Sequence, residues 1–272
     1  MRIEPLTPAI GAQILDVDLS DLSPSFVSDV RAVLLQYKVV FFRDQHITSA
    51  QHIAFARSFG NLEIHPATPE NQPDPEVLHI AHGPESRGSE NFWHSDVTWR
   101  EQPSLGSVLR GQEVPLVGGD TLFANMALAY DRLRDATKEK IHNCVAVHDI
   151  ARVFASRLNK KPEELHELYP PVEHPVVRTH PETNERVVYV NGAFTSHIKD
   201  MEAQESRLLL DELYKSAWDP EVQCRFQWKA GSIAFWDNRA SQHFAASDYF
   251  PAVRAMERVT IAGDKPYFDQ AA

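Results

Sequence analysis

His94 and Asp96 stand two apart in Asn91-Phe92-Trp93-His94-Ser95-Asp96-Val97-Thr98-Trp99, so an extended backbone would present an imidazole and a carboxylate side by side. That is half of a metal site. Two histidines and one carboxylate on one side of an ion leave its other positions open for oxygen and a co-substrate, the arrangement that suits non-haem Fe(II). The pair alone is weak, because 13 His and 38 acidic residues among 272 supply about two His-x-Asp/Glu patterns by chance. Two occur. His180 and Glu182 enclose Pro181 and run into Thr183-Asn184, which predicts a surface loop. His94 and Asp96 lie among aromatics, a better setting for burial. The third ligand is sought at His243, after the apolar run ending at Trp236 and before a strand that carries two arginines. A lone distant histidine is often structural, and spacing alone leaves both readings open.

The elements that must position these residues follow from periodicity and punctuation. Ile10 to Val17 reads as a first strand or two. Ser23-Pro24 reads as the cap and first turn of a helix that reaches Tyr37 on Phe26, Val27, Val30, Val33 and Leu34. Val39-Val40-Phe41-Phe42 is a short apolar strand, and Thr48 caps a second helix that ends before Gly60. Glu63 to Glu90, rich in Pro, Asn, Gly, Ser and His, reads as a long loop of lid or binding type, in which His65 is either a site residue or a surface histidine. Ser104 to Arg110 and the run entered through Val117-Gly118-Gly119 predict strands, while Ala127 to Leu133 and Lys138 to Cys144 predict helices. Arg157 to Leu168 reads as an exposed helical insertion with solvated charges. A hairpin over His174 to Asn191 and an amphipathic helix over Met201 to Trp218 follow. The last section is β-rich, with strands at Cys224 to Trp228, Ser232 to Trp236 and Val253 to Ile261. In the final strand Arg254, Met256, Arg258 and Thr260 share one face. Short strands with helices between and before them predict an α+β fold built on a double-sheet jelly roll of cupin type.

Composition narrows the function classes. A 43% apolar content is enough for a substantial core, and with no low-complexity linker the whole chain, 1–272, is expected to form a single domain. No basic-then-apolar leader opens the sequence and no run has the length of a membrane span, which predicts a soluble, cytoplasmic protein without a membrane partner. Cys144 and Cys224 lack CxxC spacing and predict buried thiols. A net charge of −11 argues against a nucleic-acid groove. A small anionic ligand needs only one or two placed arginines, whatever the overall balance.

Six stretches carry a resemblance that adds to these readings: Ile10-Gly11-Ala12-Gln13, the Trp93-His94-x-Asp96-Val97-Thr98 box, Gly118-Gly119-Asp120-Thr121-Leu122, His174 to Pro181, Trp236-Asp237-Asn238-Arg239 and Gly263-Asp264-Lys265-Pro266. In this order they resemble, almost end to end, the Fe(II)- and 2-oxoglutarate-dependent dioxygenases of the taurine dioxygenase type. The resemblance implies a double-stranded β-helix core with His94, Asp96 and His243 on Fe(II), and O2 and 2-oxoglutarate as co-substrates. It implies that Arg254, helped by the Thr121 hydroxyl, pairs with the far carboxylate of 2-oxoglutarate, in line with a guanidinium fork facing inward on its strand. On residue type alone Thr121 is also a plain strand former.

For the substrate, Arg258 matches the family's sulfonate-binding arginine, and His65, Phe154 and Phe194 match its substrate-contacting side chains. Without the resemblance Arg258 also reads as an arginine paired with a neighbouring carboxylate, and Phe154 and Phe194 as core aromatics. Thr68 stands where the family has a tyrosine, and Glu90-Asn91 precede Trp93 in the polar loop. The implied reaction is hydroxylation of the carbon next to a sulfonate, with taurine the expected substrate and sulfite, aminoacetaldehyde, succinate and CO2 the products. Another sulfonate, an alkyl sulfate ester or an aryloxyalkanoate is the alternative, and a homo-oligomer is expected because related enzymes self-associate. A non-catalytic, metal-binding cupin-like protein and a zinc hydrolase are readings from other classes. Both leave Arg254 and Thr121 without a purpose, and a closed structural zinc site has no need of open positions.

Overall fold

In the computed structural model, which describes residues 1–66, 68–69 and 71–271, the N-terminal elements follow their local signals. β1 (Arg2–Pro5) pairs antiparallel with β2 (Ala12–Leu15). Ser23 caps α1 (Pro24–Tyr37) by accepting from the Phe26 N–H, and the helix stops at Lys38, which takes a left-handed φ of 64°. β3 (Val39–Phe42) is buried at every residue because both of its faces are covered. Thr48 and Gln51 close the start of α2 (Ser49–Arg57) reciprocally, each side chain accepting from the other's backbone N–H.

β4 (Leu62–Glu63), β5 (Val77–His82), β6 (Gly106–Glu113) and β7 (Thr121–Asn125) come next. The middle of the chain holds α3 (Met126–Asp131), α4 (Asp135–Ile141), β8 (Val145–His148), α5 (Ala151–Arg157) and α6 (Pro162–Leu168). Then follow β9 (Val172–Pro175), the hairpin of β10 (Val177–Thr179) and β11 (Arg186–Val188), β12 (Thr195–Ile198) and α7 (Ala203–Lys215). β13 (Gln223–Phe226), β14 (Ile233–Asp237), β15 (Ser241–Ala245) and β16 (Arg254–Ile261) close the chain.

The large sheet runs β1-β2-β3-β14-β6-β16-β4, with β5 also on β16, and the small sheet β13-β7-β15 lies against one of its faces. Phe123, Cys224 and Phe226 of the small sheet meet Phe41, Leu109, Trp236 and Met256 of the large one, and the rings of Phe41 and Phe226 stack at 4.0 Å. On the opposite face Val40, Phe42, Phe235 and Val259 pack against Val30 and Leu34 of α1 and Phe55 of α2. Successive residues of β3 thus enter two different cores, which is the strand period of two at work. α3 and α7 build a further core with β8, β10, β11 and β12. The fold is α+β.

Three expectations change. Glu63 to Glu90 contains β5, paired over six residues with β16 from Arg254↔His82 to Val259↔Val77. Its two histidines and exposed alternate positions hide the strand, because β5 pairs on one side only and one of its faces borders a cavity. Residues 94–98 form no strand: His94 alone bridges to His243, and a turn with Val97 at φ 49° brings Asp96 round beside it. Such a φ is unusual for a β-branched residue and marks local strain at the site. Arg157 to Leu168 is exposed and largely helical as expected, with Leu165 its one buried residue, and Arg157 at its start also pairs with Glu90. Finally, His180 is buried rather than on the surface, with its Nε2 3.1 Å from Asp237, although a turn does follow at Asn184, φ 58°. Both cysteines are free, with Cys224 buried and Cys144 half-buried. Among the described residues no helix is long and apolar enough to cross a membrane.

Buried histidines behind the site make the fold sensitive to acid. Burial pushes His52 down to about 4, with its ring nitrogen 3.1 Å from the Val108 carbonyl, and pushes His174 down to about 4 beside the carbonyls of Thr98 and Arg100. Between about pH 6.5 and 4 the unfolded chain therefore binds protons that the folded chain refuses, so stability is full above that window and is lost as pH falls through it. Each such histidine contributes at most about 1.4 kcal/mol per pH unit. Urea unfolding between pH 7 and 4.5 should give a slope that His52→Gln reduces by about that amount. An unchanged slope would mean that His52 takes its proton within the folded protein.

Candidate functional site

The His94 and Asp96 side chains are brought to His243 by the two-way backbone bridge between His94 and His243, whose N–H···O distances are 3.0 and 2.8 Å. One donor atom from each of the three buried side chains lies within 4.8 Å of the others. Asp96 Oδ1 is 3.9 Å from the Nε2 atom of either histidine. The other oxygen, Oδ2, accepts from Ser107 Oγ at 2.9 Å and from Asn238 Nδ2 at 3.4 Å, and the Asp96 N–H donates to Asn238 Oδ1. Tying back one oxygen turns the second toward the histidines, where it also accepts from Arg258 Nη1 at 2.8 Å. His94 Nδ1 donates to the Phe92 carbonyl at 3.0 Å, which fixes the tautomer whose Nε2 lone pair faces Asp96.

Electrostatics put all three groups in the protonation state that a metal ion needs. Burial holds His94 below the ordinary imidazole value, and burial together with the neighbouring His94 pushes His243 down to about 3. Burial alone would raise the Asp96 carboxyl, but Arg258, His243 and His94 and the Ser107 hydroxyl outweigh it and hold the group well below the carboxylate range. Two neutral imidazoles and one carboxylate, arranged on one side, fit a divalent ion of the non-haem iron type.

β16 supplies the cations. Arg254 and Arg258 lie on its cavity face as the period of two predicts, and a cavity of about 50 Å³ is bordered by both, together with His94, His243, Thr121 and Glu90. Arg254 is 5% exposed; its Nε donates to the Gly119 carbonyl at 3.1 Å and its Nη2 is buried with no partner among the described residues. A buried guanidinium nitrogen without an acceptor is costly, so the geometry calls for an anionic ligand. Gly118 and Gly119 both take left-handed φ, 83° and 72°, and a Cβ on Gly119 would meet the Arg254 side chain at 3.1 Å. Thr121 Oγ1 accepts from Trp228 Nε1 at 2.9 Å, which leaves its own O–H to donate. Arg258 is also paired: its Nη1 donates to Asp96 Oδ1 at 2.8 Å.

A second cavity of about 290 Å³ gathers His65, Phe154 and Phe194 with His94, Asp96 and Arg258. Phe154 and Phe194 lie nearly parallel at 6.5 Å, and His65 is 6.3 Å from Phe154. Every residue proposed from the sequence thus reaches one of the two cavities. Sequence reasoning missed Arg157, Phe92, Trp99 and Ile80 as wall residues, and noted Glu90 only as part of the polar loop before Trp93. Glu90 borders both cavities and is paired with Arg157 and His82, each at 3.3 Å. The charged character of 157–168 gave no sign that Arg157 reaches the cavity edge, whereas the aromatic run Phe92-Trp93 was a usable signal.

The grip on Asp96 is testable apart from turnover. Asn238→Ala removes both contacts to Asp96 and should weaken metal binding about 10- to 100-fold, the usual range for a group that orients a ligand. Titration with Mn(II) or Co(II) checks it, and affinity equal to that of the unaltered protein would show that Ser107 suffices.

A family model described as "Taurine catabolism dioxygenase TauD, TfdA family" matches residues 2–260. The "Alpha-ketoglutarate-dependent sulfate ester dioxygenase" of Pseudomonas putida is 35% identical over 276 residues, covering 98% of this chain and 91% of the relative. The "Alkylsulfatase" of Acinetobacter baylyi is 34% identical over 274 residues, covering 97% and 86% respectively. The crystal structure of a taurine dioxygenase from Burkholderia xenovorans superposes with a TM-score of 0.86 at 38% identity, covering 100% of this chain and 92% of that one. Match, relatives and the His-Asp-His cluster agree, and the chain belongs to the taurine catabolism dioxygenase TauD, TfdA family, as an Fe(II)- and 2-oxoglutarate-dependent dioxygenase.

Proposed function

We propose that this dioxygenase oxidises the carbon bearing the sulfo group of a small organic anion, and that a sulfate ester with an apolar chain suits it better than taurine. The observation that carries this reading is the wall of the 290 Å³ cavity, where Leu78, Ile80, Val97, Trp99, Phe154 and Phe194 surround the metal ligands. Glu90, the one carboxylate there besides Asp96, is engaged by Arg157 and His82. An ammonium group such as taurine's meets no unengaged carboxylate besides Asp96 among the described wall residues, and Thr68 replaces the tyrosine that the resemblance led one to expect. An alkyl chain finds apolar surface instead. The names of the two curated relatives, one a sulfate ester dioxygenase and one an alkylsulfatase, favour the same class. We further propose that the two facing sheets form a double-stranded β-helix around this cavity.

His94, Asp96 and His243 would hold Fe(II), which with 2-oxoglutarate and O2 supplies the oxidising power to replace a C–H bond by C–OH, with succinate and CO2 as co-products. Arg254 Nη2 and the Thr121 O–H would take the far carboxylate of 2-oxoglutarate, which fixes the orientation of its other end. Arg258 would hold the sulfo group, and Phe154 and Phe194 the chain behind it. Burial and the neighbouring Arg258 push His65 down to about 3, so it meets the substrate as a neutral imidazole able to donate one hydrogen bond. Hydroxylation of the ester carbon gives a hydroxy sulfate that collapses to an aldehyde and inorganic sulfate, the C–O bond to sulfate breaking as the hydroxyl proton leaves. A sulfonate would release sulfite and an aldehyde by the same logic.

Arg254→Gln should raise the KM for 2-oxoglutarate about 10- to 100-fold, the loss of a charged hydrogen bond worth roughly 1.5–3 kcal/mol. Arg258→Gln should raise the KM for the sulfate ester over a similar range and leave that for 2-oxoglutarate near its original value. Succinate formation measured against each co-substrate separates the two. Sulfate release from hexyl sulfate that does not exceed sulfite release from taurine would overturn the ester preference while leaving both arginine roles in place.

A further inference from the structure

Past the cavity at the metal ligands lies another of about 150 Å³. His65, Trp99 and Phe154 line both, so the two spaces are separated by side chains and not by backbone. Behind that partition the lining is Ile150, Leu158, Leu165, Leu168 and Tyr169, with Lys160 its one formally charged residue. The chamber is lined by residues of α5, of α6 and of the segments flanking them. Leu158 and Leu168 are 48% and 63% exposed and form its outer rim.

A substrate with its head on Arg258 and its reacting carbon beside His94 and Asp96 has two ways to extend. One side of the first cavity is polar, with His79, His82, Glu90 and Arg157. The other side is the partition, and beyond it the surface is apolar. A chain of methylenes or an aryl ring gains about 25 cal/mol for each Å² taken out of water on the second route and nothing on the first.

We propose that this second chamber is the seat of the substrate's apolar tail, an alkyl or aryl end of about six carbons, since a cavity of roughly 150 Å³ walled by Leu, Ile and Phe holds about one benzene ring. The assignment rests on the sulfate-ester reading for where the head lies. Phe154 and His65, 6.3 Å apart between ring centroids, are then the gate that a long chain passes and a short one does not reach.

The test is a binding series on the protein loaded with Mn(II) and 2-oxoglutarate, using ethyl, butyl, hexyl, octyl and dodecyl sulfate with calorimetric detection. The Kd should fall about fourfold for each methylene that passes the partition, the equivalent of about 0.8 kcal/mol, and level off once the chamber is full. Leu165→Phe fills the chamber from its buried wall, and Leu168→Glu charges its exposed rim, where the fold is not at stake. Each should cut the octyl-to-ethyl affinity ratio at least about tenfold, the equivalent of about 1.4 kcal/mol. A flat series in the unaltered protein, or the same slope in both variants, overturns the chamber. Because binding is read separately from chemistry, a chain-length slope without sulfate release under turnover conditions would overturn the head-group reading and leave the chamber standing. Sulfate release with a flat series would do the reverse.

Discussion

The structure of this site depends on the asymmetric grip on Asp96. A free carboxylate offers two equivalent oxygens, and an ion facing it could be held by either or both. Here Ser107 and Asn238 occupy Oδ2, and only Oδ1 looks toward the histidines. Asn238 is itself fixed by Trp236 Nε1 and Ser104 Oγ, so the grip is anchored in β14 and in the approach to β6. Asp237, one residue earlier, is clamped by both arms of Arg239 and by His180. The Trp236-Asp237-Asn238-Arg239 stretch is therefore a support for the metal ligands, and none of its side chains needs to touch the ion.

A second constraint follows from burying Arg254. Its aliphatic stem crosses Gly119, and its guanidinium lies about 6 Å from the rings of Trp228 and Tyr249. These neighbours satisfy its shape and one of its nitrogens, not its charge, and burial alone lowers the group from its usual value. The cost is carried by the two cores on either side of the large sheet, which hold β16 wherever its side chains point. A fold with a thinner core could not keep an unpaired guanidinium in place until a ligand arrives.

Much of this was legible in the sequence, and what was not has a physical reason. Ser23, Thr48 and the run Val39 to Phe42 announce their elements through local chemistry alone, and the structure places caps and strand where those residues do. The inward face of β16 was readable from its period of two, and Arg254 and Arg258 lie on it. His243 could not be assigned from spacing, because its link to His94 is a tertiary bridge across about 150 residues. Only the resemblance supplied it. β5 was misread because its His79 and His82 border a cavity, and side chains that line a ligand space look like surface in composition. Glu90 stood out only as part of the polar loop before Trp93, and its pairing could not be read because Arg157 lies 67 positions away in the sequence.

Charge explains why the substrate should be a monoanion. Within the buried site Asp96 contributes one negative charge and Arg254 and Arg258 one positive charge each, while Glu90 and Arg157 cancel. His65 and His243 are held neutral far below physiological pH, and His94 is lowered by the same burial. A divalent metal ion and a doubly charged 2-oxoglutarate add nothing net, so one positive charge remains unanswered. In a water-poor cavity that surplus favours a ligand with a single negative charge. This supports the proposed sulfate monoester, a monoanion, over taurine, a zwitterion near neutral pH. On the proposed reading Arg258 would select on charge at the head of the substrate while the apolar residues of the same cavity would select on the surface area of its chain.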